Sequence, residues 1–351
     1  MLEWSVAEWG EAHLQAEHIP IPEPGPGEVL LRFHAASLNY RDLLVVRGQY
    51  NPRFPRPLVP GSDGYGQIVK LGPGVAAELF HRYALTTLAP DWKAGEPDPA
   101  TLRRTLGGPW PGVLSEYRVF RHDQLVLVDE PSALTPSEWA TLPCAGVTAW
   151  TCLVDHARLQ AGQTVVLLGT GGVSLFGLQI ARMSGARVLL LSSSKEKRER
   201  ALELGAEAVA DYRTRPDWGD WVLEQTGGRG ADVVLETGGA GTLAQSLRAV
   251  RVGGHVSLIG VLAGAREELN ILPLMMKAVK VQGVVVGHQE HLRRLVRAYL
   301  QTFTRPVVDQ TFSFEAVPEA LAYLASGRQF GKVTLEYPID EAPPLESPPA
   351  V

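Results

Sequence analysis

The sequence predicts an α/β fold with a doubly wound parallel sheet and a second, mainly β domain. Residues 164–181 combine a buried strand, a glycine turn and a helix in immediate succession. Alternating strand and helix patterns continue to residue 286, as a parallel sheet covered by helices on both faces requires. The residues before 145 instead contain short apolar runs and glycine bends, which are typical of a β-rich domain.

The glycine turn carries the first functional prediction. Gly169 allows a tight turn, and Gly171 lets the backbone approach a pyrophosphate without a Cβ in the way. The helix that follows directs its free N–H groups and its positive dipole end toward that pyrophosphate. Ser174 stands at the third glycine of a GxGxxG pattern, and a glycine triplet alone also fits a plain turn between strand and helix. The residues expected at the cofactor are Gly169, Gly171, Gly172 and Val173.

The remaining elements of this domain follow from hydrophobic patterning. Residues 187–191 form an apolar run of strand length, and residues 194–204 have the polar face of a surface helix that ends at Gly205. The pattern continues with strands at 208–210, 232–236, 255–260 and 281–286 and helices at 218–225 and 243–250. With the strand before the glycine turn, these make the strand set of a doubly wound nucleotide-binding sheet.

The residues on both sides of this sheet are predicted to form the second domain. Residues 28–35 partly alternate as a strand does, and the glycines of 57–72 are spaced like bends between short strands. After the parallel sheet, we expect helices at 291–302 and 318–326 and strands at 307–314 and 331–336. The predicted domain limits are 1–145, 146–287 and 288–337, followed by a proline-rich tail, 338–351, that is expected to be disordered.

Length, charge and cysteine content are those of an ordinary two-domain enzyme. The chain has 351 residues and a formal net charge of −5, so no basic excess suggests nucleic acid as a partner. No apolar run is long enough to cross a bilayer, and the first residues lack a basic start followed by an apolar core. We therefore expect a cytoplasmic protein that does not associate with membranes. Cys144 and Cys152 offer neither a disulfide framework nor a zinc knuckle.

Five short motifs occur in a fixed order along the chain. They are Leu38-Asn39-Tyr40-Arg41-Asp42, Pro60-Gly61-Ser62-Asp63-Gly64, Leu142-Pro143-Cys144-Ala145-Gly146-Val147-Thr148-Ala149, the glycine turn, and Phe330-Gly331-Lys332-Val333. In that order and spacing they resemble the medium-chain dehydrogenase/reductase superfamily, and within it the zinc-independent quinone oxidoreductases and alcohol dehydrogenases. The resemblance covers the chain to about residue 337. It implies a GroES-like catalytic domain built from both chain ends, a Rossmann cofactor domain between them, and an active site in the cleft.

The resemblance to the zinc-independent branch depends on missing metal ligands. Zinc alcohol dehydrogenases hold the catalytic ion with a cysteine, a histidine and a second cysteine, because the ion needs three protein ligands and one open position. The matching positions here are Asn39, Ser62 and Cys144, and residues 91–111 contain no cysteine for a structural zinc. His288 and His291 have i, i+3 spacing, for which a solvated helix start is the favoured explanation over a metal site. No metal is therefore expected.

The same resemblance suggests how such a site acts on its substrate. A metal-free reductase polarises its acceptor by hydrogen bonds and takes a proton from a hydroxyl or from water. Asn39, Tyr40 and Ser62 resemble the cleft positions of this branch and are the predicted catalytic residues. Asn39 and Tyr40 are expected to orient the acceptor oxygen, with Tyr40 or water as the proton source, although Asn39 also suits a turn and Tyr40 half-buried packing. The residues expected to fix the surrounding backbone as a hydrogen-bonded set are Arg41, Asp42 and Asp63.

Three further stretches resemble the surroundings of the nicotinamide in this family. Thr148 resembles a neighbour of that ring, with a threonine in a helix interior as the less favoured explanation. Residues 260–262 and 284–287 follow sheet strands and resemble the loops that bracket the ring. The contacts expected from these loops are Gly260, Val261, Val285 and Val286.

Cofactor preference is read from the residues after the second strand of the parallel sheet. NAD enzymes place an acidic residue there, roughly 20 residues past the glycine turn, to bind the ribose 2′-hydroxyl. Here that position holds Ser192, followed by Ser193, so no carboxylate repels a 2′-phosphate. Lys197 resembles the phosphate-binding lysine of the quinone reductases and Tyr212 their adenosine-side tyrosine, which favours NADP(H) over NAD(H). The alternative explanation of these residues is a solvated helix start in which Ser193 and Glu196 form a capping box. The same residues can both cap a helix and bind a phosphate.

The sequence thus predicts a metal-free oxidoreductase that transfers hydride between NADP(H) and a small carbonyl, quinone or conjugated enone. A 2-enoyl thioester reductase and a catalytically idle nucleotide-binding protein are the alternatives. By the same resemblance we expect a homodimer formed edge to edge through the Rossmann sheets. No sequence motif identifies the acceptor, because the residues that line such a pocket are scattered over several loops.

Overall fold

The computed structural model describes residues 1–338. They form two compact units, one of residues 1–144 together with those from 288 onward and one of residues 145–287. From residue 339 on, the tail predicted to be disordered lies outside the described residues. None of the helices in this described part of the chain is both long and apolar enough to cross a bilayer.

The secondary structure alternates in the two ways that the sequence predicts. The strands are β1 (Leu2–Val6), β2 (Leu14–His18), β3 (Glu28–Leu38), β4 (Asp63–Leu71), β5 (Tyr83–Leu85), β6 (Tyr117–Arg121), β7 (Val126–Val128), β8 (Thr164–Leu168), β9 (Arg187–Leu191), β10 (Ala208–Ala210), β11 (Ala231–Glu236), β12 (Val250–Leu258), β13 (Lys280–Gly283), β14 (Val308–Ser313) and β15 (Lys332–Glu336). The α-helices are α1 (Tyr40–Val46), α2 (Pro99–Arg103), α3 (Pro136–Ala140), α4 (Val147–Trp150), α5 (Gly172–Met183), α6 (Lys195–Glu203), α7 (Trp218–Gln225), α8 (Leu243–Ala249), α9 (Leu272–Met276), α10 (Gln289–Thr302) and α11 (Val317–Ala325). Helical turns at Leu142–Gly146 and Thr151–His156 extend α4 at both ends.

The unit of residues 145–287 contains the predicted doubly wound sheet. Its strands lie in the order β10-β9-β8-β11-β12-β13, and every neighbouring pair is parallel. Numbered from the first strand of the unit, this is the order 3-2-1-4-5-6 of a Rossmann fold, which confirms the prediction. All residues of β8 and β11 are buried because helices cover both faces of the sheet. All residues of the edge strand β13 are exposed.

Helix α5 lies against this sheet at a serine and a glycine. Ser174, in place of the third glycine, donates its hydroxyl to the backbone oxygen of Leu168 at 2.7 Å and so ties the helix to the end of β8. One turn later, a Cβ on Gly177 would approach the side chains of Leu167 and Leu235 to 3.0 Å. The glycine that permits close packing of helix on sheet is therefore Gly177.

The other unit is the predicted mainly β, GroES-like domain, with short helices between its strands. Its sheet has the order β14-β15-β3-β4-β5-β7, and β6 also pairs with β3. The neighbouring strands are antiparallel except for β14 and β15. Apolar side chains from both ends of the sequence, such as Phe33, Ile68, Phe314 and Val333, share one core. The strand after the Rossmann unit thus returns to the first part of the chain, as predicted.

Three neighbouring strands of this unit bring distant polar residues to one place. Strand β3 ends at Leu38, whose antiparallel partner on β15 is Val333. On the other side of β3, Ser37 pairs with Asp63, the first residue of β4. Residues next to these pairs in sequence, Asn39 and Lys332, therefore lie beside Asp63 at the same end of the sheet.

Candidate functional site

The residues predicted to bind a cofactor collect at one edge of the Rossmann sheet. Ligands of open α/β sheets bind at the carboxyl ends of the strands, which lie at a common edge when the strands are parallel. Gly169 follows β8, Ser192 follows β9, Tyr212 comes shortly after β10, Gly260 shortly after β12, and Val285 shortly after β13. Strands that are far apart in sequence thus place these residues at the same edge.

The glycine turn has the geometry expected of a phosphate-binding turn. Gly169 has a φ of +75°, in the left-handed region that favours glycine. A Cβ on Gly169 or Gly171 would meet no atom within 4 Å, so the space at the turn is open. Gly172 and Val173 begin α5, a helix of 12 residues whose first N–H groups have no intrahelical partner. These donors and the positive end of the helix dipole fit the pyrophosphate of a dinucleotide.

Side chains after β9 and β10 are joined by hydrogen bonds. Arg198 Nη1 donates to the backbone oxygen of Ser192 at 2.6 Å and to Asp211 Oδ2 at 2.9 Å. The Tyr212 hydroxyl donates to Ser193 Oγ at 3.2 Å. Ser192 is buried, whereas Tyr212 is exposed. The structure therefore brings together three of the residues predicted for the adenosine side of the cofactor.

Helix α6 begins one residue later than the predicted capping box requires. Ser194 is the N-cap residue, and its hydroxyl oxygen accepts the backbone N–H of Lys197 at 3.3 Å. The prediction of a capping box between Ser193 and Glu196 is wrong, because Ser193 Oγ instead accepts the hydroxyl of Tyr212. Lys197 consequently lies in the first turn of α6, partly buried.

A buried carboxylate shapes the loop after β11, at the same edge of the sheet. Glu236 Oε1 accepts the N–H groups of Gly238 at 2.7 Å and Gly239 at 3.0 Å, and the hydroxyl of Thr242 at 2.7 Å. Glu236 Oε2 accepts the hydroxyl of Ser246. Because β11 lies between β8 and β12, this carboxylate fixes the loop between the glycine turn and the loop of Gly260.

The residues predicted to surround the nicotinamide differ in exposure. A Cβ on Gly260 would come within 2.4 Å of the backbone oxygen of Thr237, so only glycine fits there. Val261 and Val285 are about half exposed, and Val286 is buried. Thr148 is buried within α4, a position consistent with both of its explanations.

In the GroES-like unit, the predicted catalytic residue Asn39 contacts a buried lysine. Lys332 Nζ donates to Asn39 Oδ1 at 2.5 Å and to the backbone oxygen of Leu38 at 2.7 Å, and it lies 3.7 Å from Asp63 Oδ2. Asn39 is the N-cap residue of α1, and its own N–H donates to Asp42 Oδ2 at 2.8 Å. The Asn39 side chain thus contacts Lys332, and Asn39 and Asp42 have the arrangement of a capping box at the start of α1.

Ser62 and the two aspartates form the rest of this polar group. Ser62 is buried and donates its hydroxyl to Asp63 Oδ1 at 2.8 Å, so its one proton is already used. Burial raises the pKa of Asp63, and the Lys332 ammonium is the main influence that opposes the rise. Burial likewise raises the pKa of Asp42 to about 6. The predicted hydrogen-bonded set around the site therefore includes buried carboxyl groups that are harder to ionise than usual.

Tyr40 and Arg41, next to Asn39 in sequence, are placed differently. Tyr40 is the first residue of α1, and 41% of it is exposed. Arg41 donates to the backbone oxygens of Leu106 and Gly108, at 3.0 Å and 2.6 Å, and its guanidinium lies over the ring of Tyr50. Arg41 therefore anchors α1 to a neighbouring loop, in agreement with its predicted supporting role.

The donor set at Asn39, Ser62 and Cys144 does not fit a catalytic zinc ion. Such an ion is held by thiolate, imidazole or carboxylate groups. These positions offer an amide, a hydroxyl committed to Asp63, and a thiol whose pKa is raised by burial and by Asp63. The amide oxygen, moreover, already accepts from the Lys332 ammonium. Within residues 1–338, no group of three or more His, Cys, Asp or Glu side chains is arranged to hold a metal ion.

His288 and His291 start α10, as predicted, but they are buried and not solvated. Each Nδ1 accepts the backbone N–H of the other residue, at 3.2 Å and 3.4 Å, and the two rings stack. The pair therefore has a capping role that the spacing alone did not reveal.

Sequence reasoning missed three residues that organise the two sites. Lys332 lies in a motif that was used only for the family resemblance, and nothing local indicates that it contacts Asn39. Arg198 is one residue from the predicted phosphate ligand Lys197. Glu236 had a visible signal, since it is an acidic residue directly after the apolar run 233–235.

Two family models match the chain in the order of its units. The model described as an alcohol dehydrogenase GroES-like domain matches residues 25–130, and the model described as a zinc-binding dehydrogenase matches residues 172–301. A crystal structure of a Sinorhizobium meliloti 1021 protein assigned to the alcohol dehydrogenases superimposes with a TM-score of 0.89 at 43% identity, covering 95% of this chain and 98% of that one.

Several curated proteins are similar over nearly their whole length. A zinc-type alcohol dehydrogenase-like protein of Schizosaccharomyces pombe is 37% identical, covering 93% of this chain and 96% of the relative. A chloroplastic quinone-oxidoreductase of Triphysaria versicolor is 29% identical, with coverage of 93% and 95%. An acryloyl-coenzyme A reductase of Metallosphaera sedula is 28% identical, with coverage of 92% and 96%.

Proposed function

The chain belongs to the medium-chain dehydrogenase/reductase superfamily, and on that premise we propose that it is a metal-independent oxidoreductase that transfers hydride between NADP(H) and a small carbonyl, quinone or conjugated enone. The observation that carries the proposal is the hydrogen bond from Lys332 to Asn39 Oδ1, at a position where zinc enzymes of the superfamily have a metal ligand. A nicotinamide cofactor supplies or accepts the hydride. The protein's task is to bind it and to polarise the acceptor.

Within the acceptor site, we assign different tasks to the predicted catalytic residues. Asn39 is the hydrogen-bond donor to the acceptor oxygen, because its oxygen is already bound by Lys332 and its nitrogen is not. Tyr40, which is partly exposed, delivers a proton from its hydroxyl or orders a water that does so. Ser62 holds Asp63 in place, since its proton is committed there.

For the cofactor site, we propose a preference for NADP(H) over NAD(H). Ser192 stands at the position where a carboxylate binds the 2′-hydroxyl of NAD. The carboxylate of Asp211, which Arg198 links to the backbone of Ser192, is paired with that arginine. Lys197 in the first turn of α6 supplies a cation near the position of a 2′-phosphate, and Ser193 and Tyr212 supply hydroxyls. Gly169, Gly171, Gly172 and Val173 bind the pyrophosphate in this proposal, and Thr148 and the loops of Gly260–Val261 and Val285–Val286 surround the nicotinamide.

A second candidate is reduction of 2-enoyl thioesters. The observation that favours it is the similarity to the acryloyl-coenzyme A reductase, which extends over nearly both chains. Both candidates use the same cofactor site and differ only in the acceptor. A protein that binds nucleotide without turnover is the third possibility that the experiment below distinguishes.

We further propose that the protein is a cytoplasmic homodimer joined through the edge of the Rossmann sheet. The residues of edge strand β13 are all exposed, and its outer side has no strand partner among the described residues. Apolar side chains in and beside α9, including Ile271, Met275 and Met276, are about two-thirds exposed in one chain. A second copy pairing along β13 would cover both features.

The deciding experiment is a panel assay that follows the oxidation of NADPH. Quinones, conjugated enones, small aldehydes and 2-enoyl thioesters are compared by kcat/KM, and cofactor binding is measured separately by fluorescence titration. Preferred turnover of a quinone, enone or carbonyl supports the proposal, and preferred turnover of a thioester supports the second candidate. Tight NADPH binding with no turnover on any acceptor would leave only the binding role.

A further inference from the structure

The ends of three neighbouring strands meet at a buried group of Asn39, Asp63 and Lys332, here called the lysine cluster. Only 4% of the Lys332 side chain and none of the Asp63 side chain is exposed. Two hydrogen bonds from the ammonium go to Leu38 O and Asn39 Oδ1, and Asp63 Oδ2 is 3.7 Å away. The ammonium therefore lies between one carboxamide and one carboxylate.

The ammonium fixes which way the Asn39 carboxamide faces. An ammonium group only donates hydrogen bonds, so the carboxamide must turn its oxygen toward Lys332 and its nitrogen away. Asn39 Nδ2 is buried and has no partner at hydrogen-bond distance among the described residues, although the Asn39 side chain lies beside Asp63 and helps to lower the pKa of that carboxyl. Asn39 and Asp42 also have the arrangement of a capping box at the start of α1, although the hydrogen bond of the Asp42 N–H goes to the backbone oxygen of Asn39.

Stability alone does not explain the lysine cluster. The free energy needed to remove an ammonium and a carboxylate from water offsets much of the electrostatic attraction between them. Apolar side chains of similar volume often stabilise a fold at least as well. A buried amide nitrogen without a partner adds a further cost. Asp63 Oδ2 and Asp42 Oδ1 also lack hydrogen-bond partners among the described residues, so this buried group is one that a ligand can complete.

We propose that Lys332 is a positioning residue of the acceptor site. Its ammonium holds Asn39 Oδ1 and so presents Asn39 Nδ2 as a fixed hydrogen-bond donor to the carbonyl or quinone oxygen of the acceptor. Asp63 holds the ammonium in place, and Ser62 holds Asp63. This inference rests on the proposed function, to which it adds the means by which a chain without the zinc ligands orients its acceptor.

The test uses a pair of substitutions that removes both charges of the lysine cluster. Lys332→Met alone leaves Asp63 buried without its cation, so a loss of activity in that variant does not separate misfolding from lost positioning. Combining Lys332→Met with Asp63→Asn leaves the cluster neutral and is expected to fold with a Tm close to that of the parent. NADPH affinity should also stay at the parental value, because the cofactor site lies in the other unit. The acceptor kcat/KM, in contrast, should fall roughly 10- to 100-fold, the scale of losing one oriented donor.

A double-mutant cycle separates positioning from a structural effect. Asn39→Ala in the parent should lower kcat/KM by a similar factor, and in the neutral double variant it should cause little further loss because the donor is already misoriented. Parental kcat/KM in the neutral double variant would overturn the inference. So would a full, additional effect of Asn39→Ala in that background.

A spectroscopic measurement tests the orientation even if no acceptor is turned over. The sequence contains only three asparagines, Asn39, Asn51 and Asn270, so isotope-labelled asparagine gives three side-chain amide signals in an NMR spectrum. Asn39→Asp assigns the relevant one. We expect the Asn39 amide to shift and broaden in the neutral double variant while the other two stay unchanged. Sharp Asn39 signals at the parental position would overturn the inference, whereas absent turnover by the parent would overturn the proposed function and not this orientation.

Discussion

Cofactor selectivity is the property for which the structure allows the sharpest prediction. Lys197 lies in the first turn of α6, where the helix dipole also favours an anion. A charge-assisted hydrogen bond from such a side chain to a 2′-phosphate is worth about 1.5–3 kcal/mol, which corresponds to roughly 10- to 100-fold in affinity. Lys197→Ala should therefore weaken NADPH binding by that factor and leave NADH binding unchanged.

The chain offers a matched control for this substitution on the same helix. The Lys195 side chain is 84% exposed and pairs only loosely with Glu199, at 3.7 Å. Lys195→Ala removes the same charge from the same helix, so its effect on NADPH measures long-range electrostatics alone, and we expect less than a few-fold change. Ser192→Asp is expected to reverse the preference, because a carboxylate repels the 2′-phosphate and accepts the 2′-hydroxyl of NADH.

Fluorescence titration of both cofactors with the parent and the three variants provides the dissociation constants. The ratio of the two constants, and not either one alone, is the quantity to compare. A parent that binds NADH as tightly as NADPH, with equal responses to Lys197→Ala and Lys195→Ala, would refute the reasoning. Residues 192–197, which follow β9, would then be only the capped start of a solvated helix.

Three other predictions concern single residues. Tyr40→Phe should lower the acceptor kcat/KM by roughly 10-fold or more with unchanged NADPH affinity, and an unchanged rate would identify Tyr40 as a packing residue. Ser174→Ala should lower the free energy of unfolding of the Rossmann unit by about 1 kcal/mol, measured by urea unfolding, because it removes the hydrogen bond from Ser174 to Leu168 O. The loss should not be larger, because Leu168 O still accepts the hydroxyl of Thr237, and no loss at all would contradict the proposed tie between α5 and β8. Burial, with a smaller effect of Arg32, lowers the pKa of His34 from 6.5 to about 4. As the pH drops from 6.5 toward 4, His34 is therefore protonated in the unfolded chain but not in the folded protein, and the free energy of unfolding falls. Between pH 7 and 5, the free energy of unfolding of the GroES-like unit should fall less in His34→Gln than in the parent, by at most about 2 kcal/mol. The same pH dependence in both proteins would argue against a neutral His34.

The Rossmann unit could be predicted from the sequence because its signals are local. Apolar strands such as 164–168 and 187–191 coincide with the observed elements, and the glycine turn fixes where the first helix begins. The parallel order of the strands then follows from the alternation of strands and helices. The prediction failed where two local interactions compete, as at Ser193, whose hydroxyl pairs with Tyr212 and leaves the cap to Ser194.

The candidate acceptor site was only partly predictable, because its central contact is not local. Asn39 was identified through a family resemblance, but its partner Lys332 is 293 positions away in the sequence. Strand pairing alone brings them together, through β15 beside β3. A hydrogen bond that depends on sheet topology leaves no periodic or compositional mark, so the role of Lys332 emerged only from the structure.

The most direct test of the central claim is turnover by protein whose metal content is known. Purified protein is treated with a chelator, its zinc is measured by elemental analysis, and NADPH oxidation by a quinone or enone is followed before and after treatment. The account predicts far less than one zinc per chain and the same kcat/KM in both samples. One zinc per chain, with turnover lost on its removal and regained on its return, would contradict it.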